Sequence, residues 1–142
     1  MSFNGLTQGG RAHSNGASAE DVIYGILVGK GYRPERQKTI GPGIYSTGNP
    51  LKTDIYIEQA PGYPDGLFIE SKWQQSGGSV DEKFPYLVEN IRLHYPAPTI
   101  IVYGGDGARP PALEWLKRQV DGSRLVAVFT LGEFLKWANH TL

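Results

Sequence analysis

A continuous apolar run from Thr99 to Tyr103, bounded by Pro98 and Gly104, constrains the fold of this chain most strongly. Its residues are largely β-branched and show no polar alternation, which is typical of a strand buried on both faces. Such a strand lies inside a sheet that is covered by helices. The run therefore predicts an α/β domain with this strand near the centre of its sheet.

Apolar residues at helical spacing predict four helices. They run from about Ala17 to Lys30, from after Gly78 to Tyr95, around Leu113, Leu116 and Val120, and from Thr130 onward. Pro85 is compatible with the second helix only within its first turn, because proline lacks a backbone N–H. The last helix opens with Thr130-Leu131-Gly132-Glu133, a sequence typical of a capping box.

Alternating apolar and polar residues predict the other strands. Thr53 to Glu58 and Leu67 to Lys72 flank a Pro- and Gly-rich turn and form an antiparallel pair. Arg36 to Ile40 is predicted as a short strand and Leu125 to Phe129 as a second buried strand. The expected fold is a mixed β-sheet flanked by helices, as one domain over residues 17–142 that follows a flexible arm over residues 1–16.

Composition limits the kinds of chemistry. A chain of 142 residues with 39% hydrophobic residues can bury one ordinary core. It has no apolar run near the ~20 residues of a membrane span and no basic-then-apolar leader, so we expect a soluble, cytoplasmic protein. The absence of cysteine excludes thiol nucleophiles and leaves oxygen or imidazole ligands for any metal. The fourteen basic and fourteen acidic residues give a net charge of zero, which counts mildly against a polyanionic partner.

Three charged residues of the predicted hairpin suggest a catalytic site. Asp54 begins the first strand, and Glu70 and Lys72 stand two residues apart on the second, so all three can project from one face. Two carboxylates can hold a hard cation such as magnesium, and the ammonium can orient an attacking water. The plainer alternative is a cross-strand ion pair on a solvated sheet face.

The sequence Thr53-Asp54, followed after fifteen residues by Glu70-Ser71-Lys72, resembles the motif of the PD-(D/E)XK nucleases. The order of predicted elements over residues 17–105 is also similar to the α-β-β-β-α-β core of restriction-endonuclease-like folds. Thr53 stands where the motif has proline. The resemblance implies a Mg²⁺-dependent DNA endonuclease, with Mn²⁺ as an alternative ion, in which Asp54 and Glu70 bind the metal and Lys72 acts on the nucleophile.

Two further residues are candidates for the site. Glu20 lies beside the core-facing stripe of the first helix, and the resemblance implies a first-helix glutamate near the metal; the alternative is a glutamate favoured by the helix dipole. Gln74 shares the strand parity of Lys72, so its amide can reach a phosphate oxygen or a water; the alternative is an ordinary loop residue. A cluster of basic residues could form a rim facing DNA: Lys30, Arg33, Arg36, Lys38 and Lys52.

The predicted function is hydrolysis of phosphodiester bonds in DNA, in a restriction, homing or junction-resolving role. A domain this small carries one site, whereas the PD-(D/E)XK nucleases that cut both strands of a duplex or resolve junctions usually pair two, so the resemblance implies a homodimer. The competing interpretation is a non-catalytic nucleic-acid-binding module that retains the nuclease fold. A third is an interaction protein with no nucleic-acid role.

Overall fold

A computed structural model of the chain describes residues 8–44, 50–73, 79–105 and 108–142. Four helices and seven strands lie within these residues. The helices are α1 (Gln8–Gly29), α2 (Ser79–Leu93), α3 (Pro110–Arg118) and α4 (Leu131–Thr141). The strands are β1 (Glu35–Arg36), β2 (Thr39–Pro42), β3 (Pro50–Lys52), β4 (Ile55–Ile57), β5 (Leu67–Trp73), β6 (Thr99–Gly104) and β7 (Leu125–Thr130).

Five strands form a mixed sheet in the order β1-β4-β5-β6-β7, and β2 pairs with β3 in a separate two-stranded sheet. The pairs β1·β4 and β4·β5 are antiparallel, whereas β5·β6 and β6·β7 are parallel. Strand β5 is therefore the position where the two kinds of pairing meet. In the β4·β5 pair, Ile55 lies opposite Ile69, so the N-terminal end of β4 lies beside the middle of β5.

The sheet has an apolar layer on each face, as the Thr99–Tyr103 run predicts. On one face, side chains of α1 and α4 pack against the strands, with Ile23, Leu27 and Phe134 fully buried. On the other, α2 and α3 cover Phe68 and Ile101, with Phe84 and Leu116 among the buried side chains. The predicted mixed β-sheet flanked by helices is thus confirmed.

Several element boundaries differ from the prediction. The first helix begins at Gln8 rather than near Ala17, because a helix anchored by buried residues such as Ile23 propagates into a weakly helical sequence at little cost. The strand predicted over residues 36–40 is divided into β1 and β2 around Gln37, whose φ of 56° breaks the extended backbone. Strand β3 lies just before the strand predicted from Thr53, in a segment for which no strand was predicted.

Three further expectations were wrong in detail. Pro85 lies inside α2 beyond the first turn; it is exposed, while its neighbour Phe84 is buried, so packing outweighs the lost backbone hydrogen bond. Val120 lies beyond the end of α3 and is exposed. Strand β7 is at the sheet edge and mostly half-buried, because no strand follows it. The capping box of Thr130 and Glu133 is present as predicted.

No helix within the described ranges is long and apolar enough to cross a membrane.

The parallel pairing of Trp73 with Gly104 supports a testable prediction. A Cβ atom at Gly104 would overlap the indole ring of Trp73, whereas a Cβ at Gly132 in α4 would meet nothing within 4 Å. We expect Gly104→Ala to lower the free energy of unfolding by about 1–3 kcal/mol. Gly132→Ala should leave it unchanged or raise it by about 0.5–1 kcal/mol. Urea denaturation of both variants measures the difference, and equal stabilities would contradict the proposed packing.

Candidate active site

The two carboxylates occupy the point where the β4·β5 ladder ends. The last paired residues are Ile55 and Ile69, so Asp54 and Glu70 would be the next pair in register. There the backbone of Asp54 donates its N–H to Glu70 Oε2 at 3.0 Å, and the backbone of Ser71 donates its N–H to Asp54 Oδ2 at 2.7 Å. Each carboxylate is therefore held by the backbone of the opposite strand, and both lie on the same face of the hairpin.

Lys72 is the accessible member of the group. Its Nζ lies 3.7 Å from Glu70 Oε1, and its side chain is 25% exposed, whereas that of Glu70 is 3% exposed. The pair is therefore not on a solvated sheet face, because one carboxylate is buried. Among the described residues, the ammonium of Lys72 forms the ion pair of this group, so one ammonium within ion-pair distance faces two carboxylates.

Tyr95, which follows α2, donates its hydroxyl to the Glu70 carboxylate. Burial, and next the charge of Asp54, raises the pKa of Glu70 to about 7, although Lys72, the Asp54 N–H and the Tyr95 hydroxyl all favour its charged form. Burial, and next the negative charge of Glu70, raises the pKa of Tyr95, which therefore stays a hydrogen-bond donor. Glu70 can consequently gain or lose a proton near neutral pH.

The connection between β1 and β2 fixes the backbone before the first carboxylate. Buried Thr53 donates both its N–H and its hydroxyl to the carbonyl oxygen of Lys38, at 2.9 and 3.0 Å. The N–H of Gln37 in turn bonds the carbonyl oxygen of Asp54 at 3.1 Å. A proline at position 53 could supply neither donor. Threonine here therefore secures Asp54 against the neighbouring segment.

A cavity of about 330 Å³ opens beside Glu70, between β3, β5 and α2. Glu70, Lys72 and Tyr95 line it on one side. Lys83, Tyr86, Leu87 and Asn90 of α2 line it on another, since residues at this spacing share one helical face. The sequence did not predict that Tyr86, Asn90 and Tyr95 line this cavity. The polar positions beside the apolar stripe of α2 were the signal that could have indicated it.

A family model described as a PD-(D/E)XK nuclease superfamily domain matches residues 11–142. The chain belongs to this superfamily. No curated protein matches it. Among solved structures, it is similar to a crystal structure of a protein of unknown function, with 9% identity and a TM-score of 0.46, over 79% of this chain and 55% of that chain. The chain thus spans about half the length of that protein.

Not all of the residues predicted for a PD-(D/E)XK site come together. The carboxylate of Glu20 accepts hydrogen bonds from Arg36 at 2.6 and 2.9 Å, and Arg36 also pairs with Asp21. The structure therefore places Glu20 in an ion-pair cluster between α1 and β1. Gln74 lies outside the described residues. Of the predicted basic rim, Arg36 and Lys38 have acidic partners, while Lys52 borders the cavity.

The donor chemistry of the site fits a divalent cation of the kind PD-(D/E)XK nucleases use. In the part of the chain that is described, no three histidine, aspartate or glutamate residues form a ligand group. Asp54 and Glu70 nevertheless supply two hard oxygen donors, and magnesium often takes one or two carboxylates while keeping several waters. Burial and next the charge of Asp54 raise the pKa of Glu70, and a cation bound by both carboxylates would relieve the repulsion between them.

Removing the charge of Asp54 tests this electrostatic description. With its pKa raised from 4.5 to about 7, folded Glu70 binds a proton more tightly than the unfolded chain does, so in chelator the stability should decline as pH rises through that range. Asp54→Asn should weaken the decline and leave stability at neutral pH unchanged or slightly higher, because the Asn oxygen can still accept the Ser71 N–H.

Urea denaturation from about pH 4 to about pH 8 measures how the stability of each variant changes with pH. This range covers both the protonated and the charged form of Glu70. Asp65→Asn, at an exposed turn position, serves as the control. If the carboxylates served only as an ion pair with Lys72, Asp54→Asn would lower the stability at neutral pH instead. A clear loss of stability at neutral pH in Asp54→Asn alone would contradict the description of strained, like-charged carboxylates.

Proposed function

We propose that this protein is a metal-dependent DNA endonuclease that hydrolyses phosphodiester bonds. The observation that carries the proposal is the cross-strand carboxylate pair, in which Asp54 and Glu70 are each held by the opposite backbone with Lys72 at the accessible side. A stabilising ion pair needs no second carboxylate and gains little from burying one. Membership of a nuclease superfamily supports the same conclusion.

In this proposal the residues of the chain have separate tasks. Asp54 and Glu70 would hold Mg²⁺, or Mn²⁺ in its place. The cation would supply Lewis-acid stabilisation of the charge that builds on the phosphate oxygens. Lys72 orients the attacking water and places a positive charge beside the reacting phosphate. The water oxygen releases a proton to solvent and forms a bond to phosphorus, the bond from phosphorus to the leaving oxygen breaks, and that oxygen takes up a proton from solvent.

Burial of Glu70 contributes by fixing its carboxylate and shielding it from water. Its carboxylate is fixed by the Asp54 N–H, the Tyr95 hydroxyl and the Lys72 ammonium, so little reorganisation is required when substrate binds. Hydrogen bonds from two opposed strands position the donors more rigidly than a loop could. A preorganised pair of this kind is what hydrolysis of a stable phosphodiester requires.

We also propose that the active form is a homodimer. The described residues hold one such carboxylate pair, and two symmetry-related copies of the chain would supply one pair for each strand of a duplex. Sedimentation analysis of the purified protein with and without DNA measures the assembly; a monomer on DNA that still makes double-strand breaks would contradict it.

The direct test of activity is incubation with supercoiled, linear and four-way-junction DNA, with Mg²⁺ and with chelator. We expect at least one of these DNAs to be cleaved, and only when Mg²⁺ is present. Binding without cleavage would instead support the non-catalytic module. Neither binding nor cleavage would support an interaction protein without a nucleic-acid role.

Lys72→Ala should lower the rate of cleavage by about 100-fold or more, the usual loss when one charge-stabilising donor is removed from a site. DNA binding should weaken only slightly, because a single phosphate contact is lost. The matched control is Lys136→Ala, since Lys136 is exposed on α4, which packs on the other face of the sheet. An active Lys72→Ala protein, measured by gel-based cleavage kinetics, would favour the ion-pair interpretation.

A further inference from the structure

The cavity beside Glu70 and Lys72 is larger than the carboxylate pair requires. Its volume of about 330 Å³ is near the lower end of the roughly 300–1,000 Å³ that small-molecule sites occupy. It extends away from the carboxylates between β3 and α2. A space of this size can take one nucleotide unit, whereas a base pair within a duplex cannot enter it.

The walls of the cavity are suited to a flat, weakly polar group. Leu51 and Leu87 provide aliphatic surface, and Tyr86 and Tyr95 provide aromatic surface. Nucleobases removed from the helical stack are bound in proteins between aromatic and apolar side chains. The cavity therefore matches the chemistry of a base better than that of a phosphate or sugar.

Positive charge surrounds this apolar space. Lys52 and Lys83 line the cavity together with Lys72, and both are exposed. Within the described ranges, neither Lys52 nor Lys83 takes part in an ion pair. Ammonium groups of this kind bind backbone phosphates. An apolar interior with a cationic edge is complementary to a nucleotide, which joins an apolar base to an anionic phosphate.

The cavity is held open by hydrogen bonds that do not involve a ligand. Asn90 is buried; its Oδ1 accepts the N–H of Ile44 at 2.9 Å, and its Nδ2 donates to the carbonyl oxygen of Tyr86 at 3.1 Å. Gly43 lies so close to α2 that a Cβ there would come within 2.7 Å of the Tyr86 hydroxyl. These contacts fix the position of the β2·β3 sheet on α2, so the space between them is preformed.

We propose that this cavity receives the base of one unstacked nucleotide on the strand being cut, next to the scissile phosphate. The inference rests on the proposed nuclease function and adds a substrate class to it. A base paired within a duplex must be extruded before it can enter, and that cost is smallest for a nucleotide that is already unpaired. The preferred substrate is therefore DNA with an unpaired nucleotide beside the cleavage site.

The experiment compares binding of three DNAs to the wild-type protein in chelator, so that it does not depend on hydrolysis. They are a fully paired duplex, the same duplex with one extra unpaired nucleotide, and the same bulged duplex with that base removed. The bulged duplex should bind about tenfold more tightly than the paired one, a typical effect of stacking one base. Removal of the base should abolish the preference, although the bulge remains flexible.

A variant that fills the cavity provides the second arm. Leu87→Trp places a large side chain in the cavity, whereas Leu93→Trp adds the same ring at a 64% exposed position of the same helix. Leu87→Trp should lose the preference for the bulge while retaining affinity for paired duplex, and Leu93→Trp should behave as the wild type. Circular dichroism checks that both variants are folded. If Leu87→Trp is unfolded, the binding of the three DNAs to the wild-type protein still tests the proposal.

The possible results separate this inference from the proposed function. Equal affinity for paired and bulged duplex, or equal affinity for the bulge with and without its base, would overturn the cavity assignment. Cleavage with Mg²⁺ in that case would leave the nuclease proposal intact. A protein that neither binds nor cuts any of the DNAs would overturn both.

Discussion

The site depends on two hydrogen bonds at the end of the β4·β5 ladder, in which carboxylate side chains take the place of backbone carbonyl acceptors. Where the next backbone pair would form, the Asp54 N–H bonds Glu70 and the Ser71 N–H bonds Asp54. Backbone donors that are partly shielded from water still need partners, and here carboxylates supply them. The same bonds that complete the sheet therefore hold two like charges close together, so the position of the carboxylates is a property of the strand register.

This arrangement is costly, and the surrounding fold offsets the cost. A buried carboxylate is stable only when hydrogen bonds and opposite charge replace its water. Glu70 obtains these from the Asp54 N–H, from Lys72 on its own strand and from Tyr95, while apolar layers on the two faces keep β5 in place. Thr53, through Lys38, fixes the other strand. The site is thus supported by contacts that contribute no catalytic atom.

Local patterns predicted much of this, whereas contacts between distant segments could not be predicted. Strand periodicity placed Asp54 and Glu70 on one face, and the apolar run predicted that β6 is buried on both faces, because both depend on neighbouring residues alone. The pairing of Glu20 with Arg36 depends on where β1 lies, and the Tyr95 hydroxyl reaches Glu70 only after α2 has packed. Similarly, Pro85 remains helical because of tertiary packing, which no propensity describes.

The order of elements along the chain also bears on how the site forms during folding. Asp54 and Glu70 are 16 residues apart and belong to one hairpin, so they can meet as soon as a local turn closes. Burial of Glu70 requires α2 and the parallel strand β6, which are more distant contacts and form more slowly. The charge of Asp54 therefore already acts on Glu70 in the hairpin, whereas burial, the larger cause of its raised pKa, begins only when α2 and β6 have packed. The protonation of Glu70 thus reports the last stage of folding more strongly than the first.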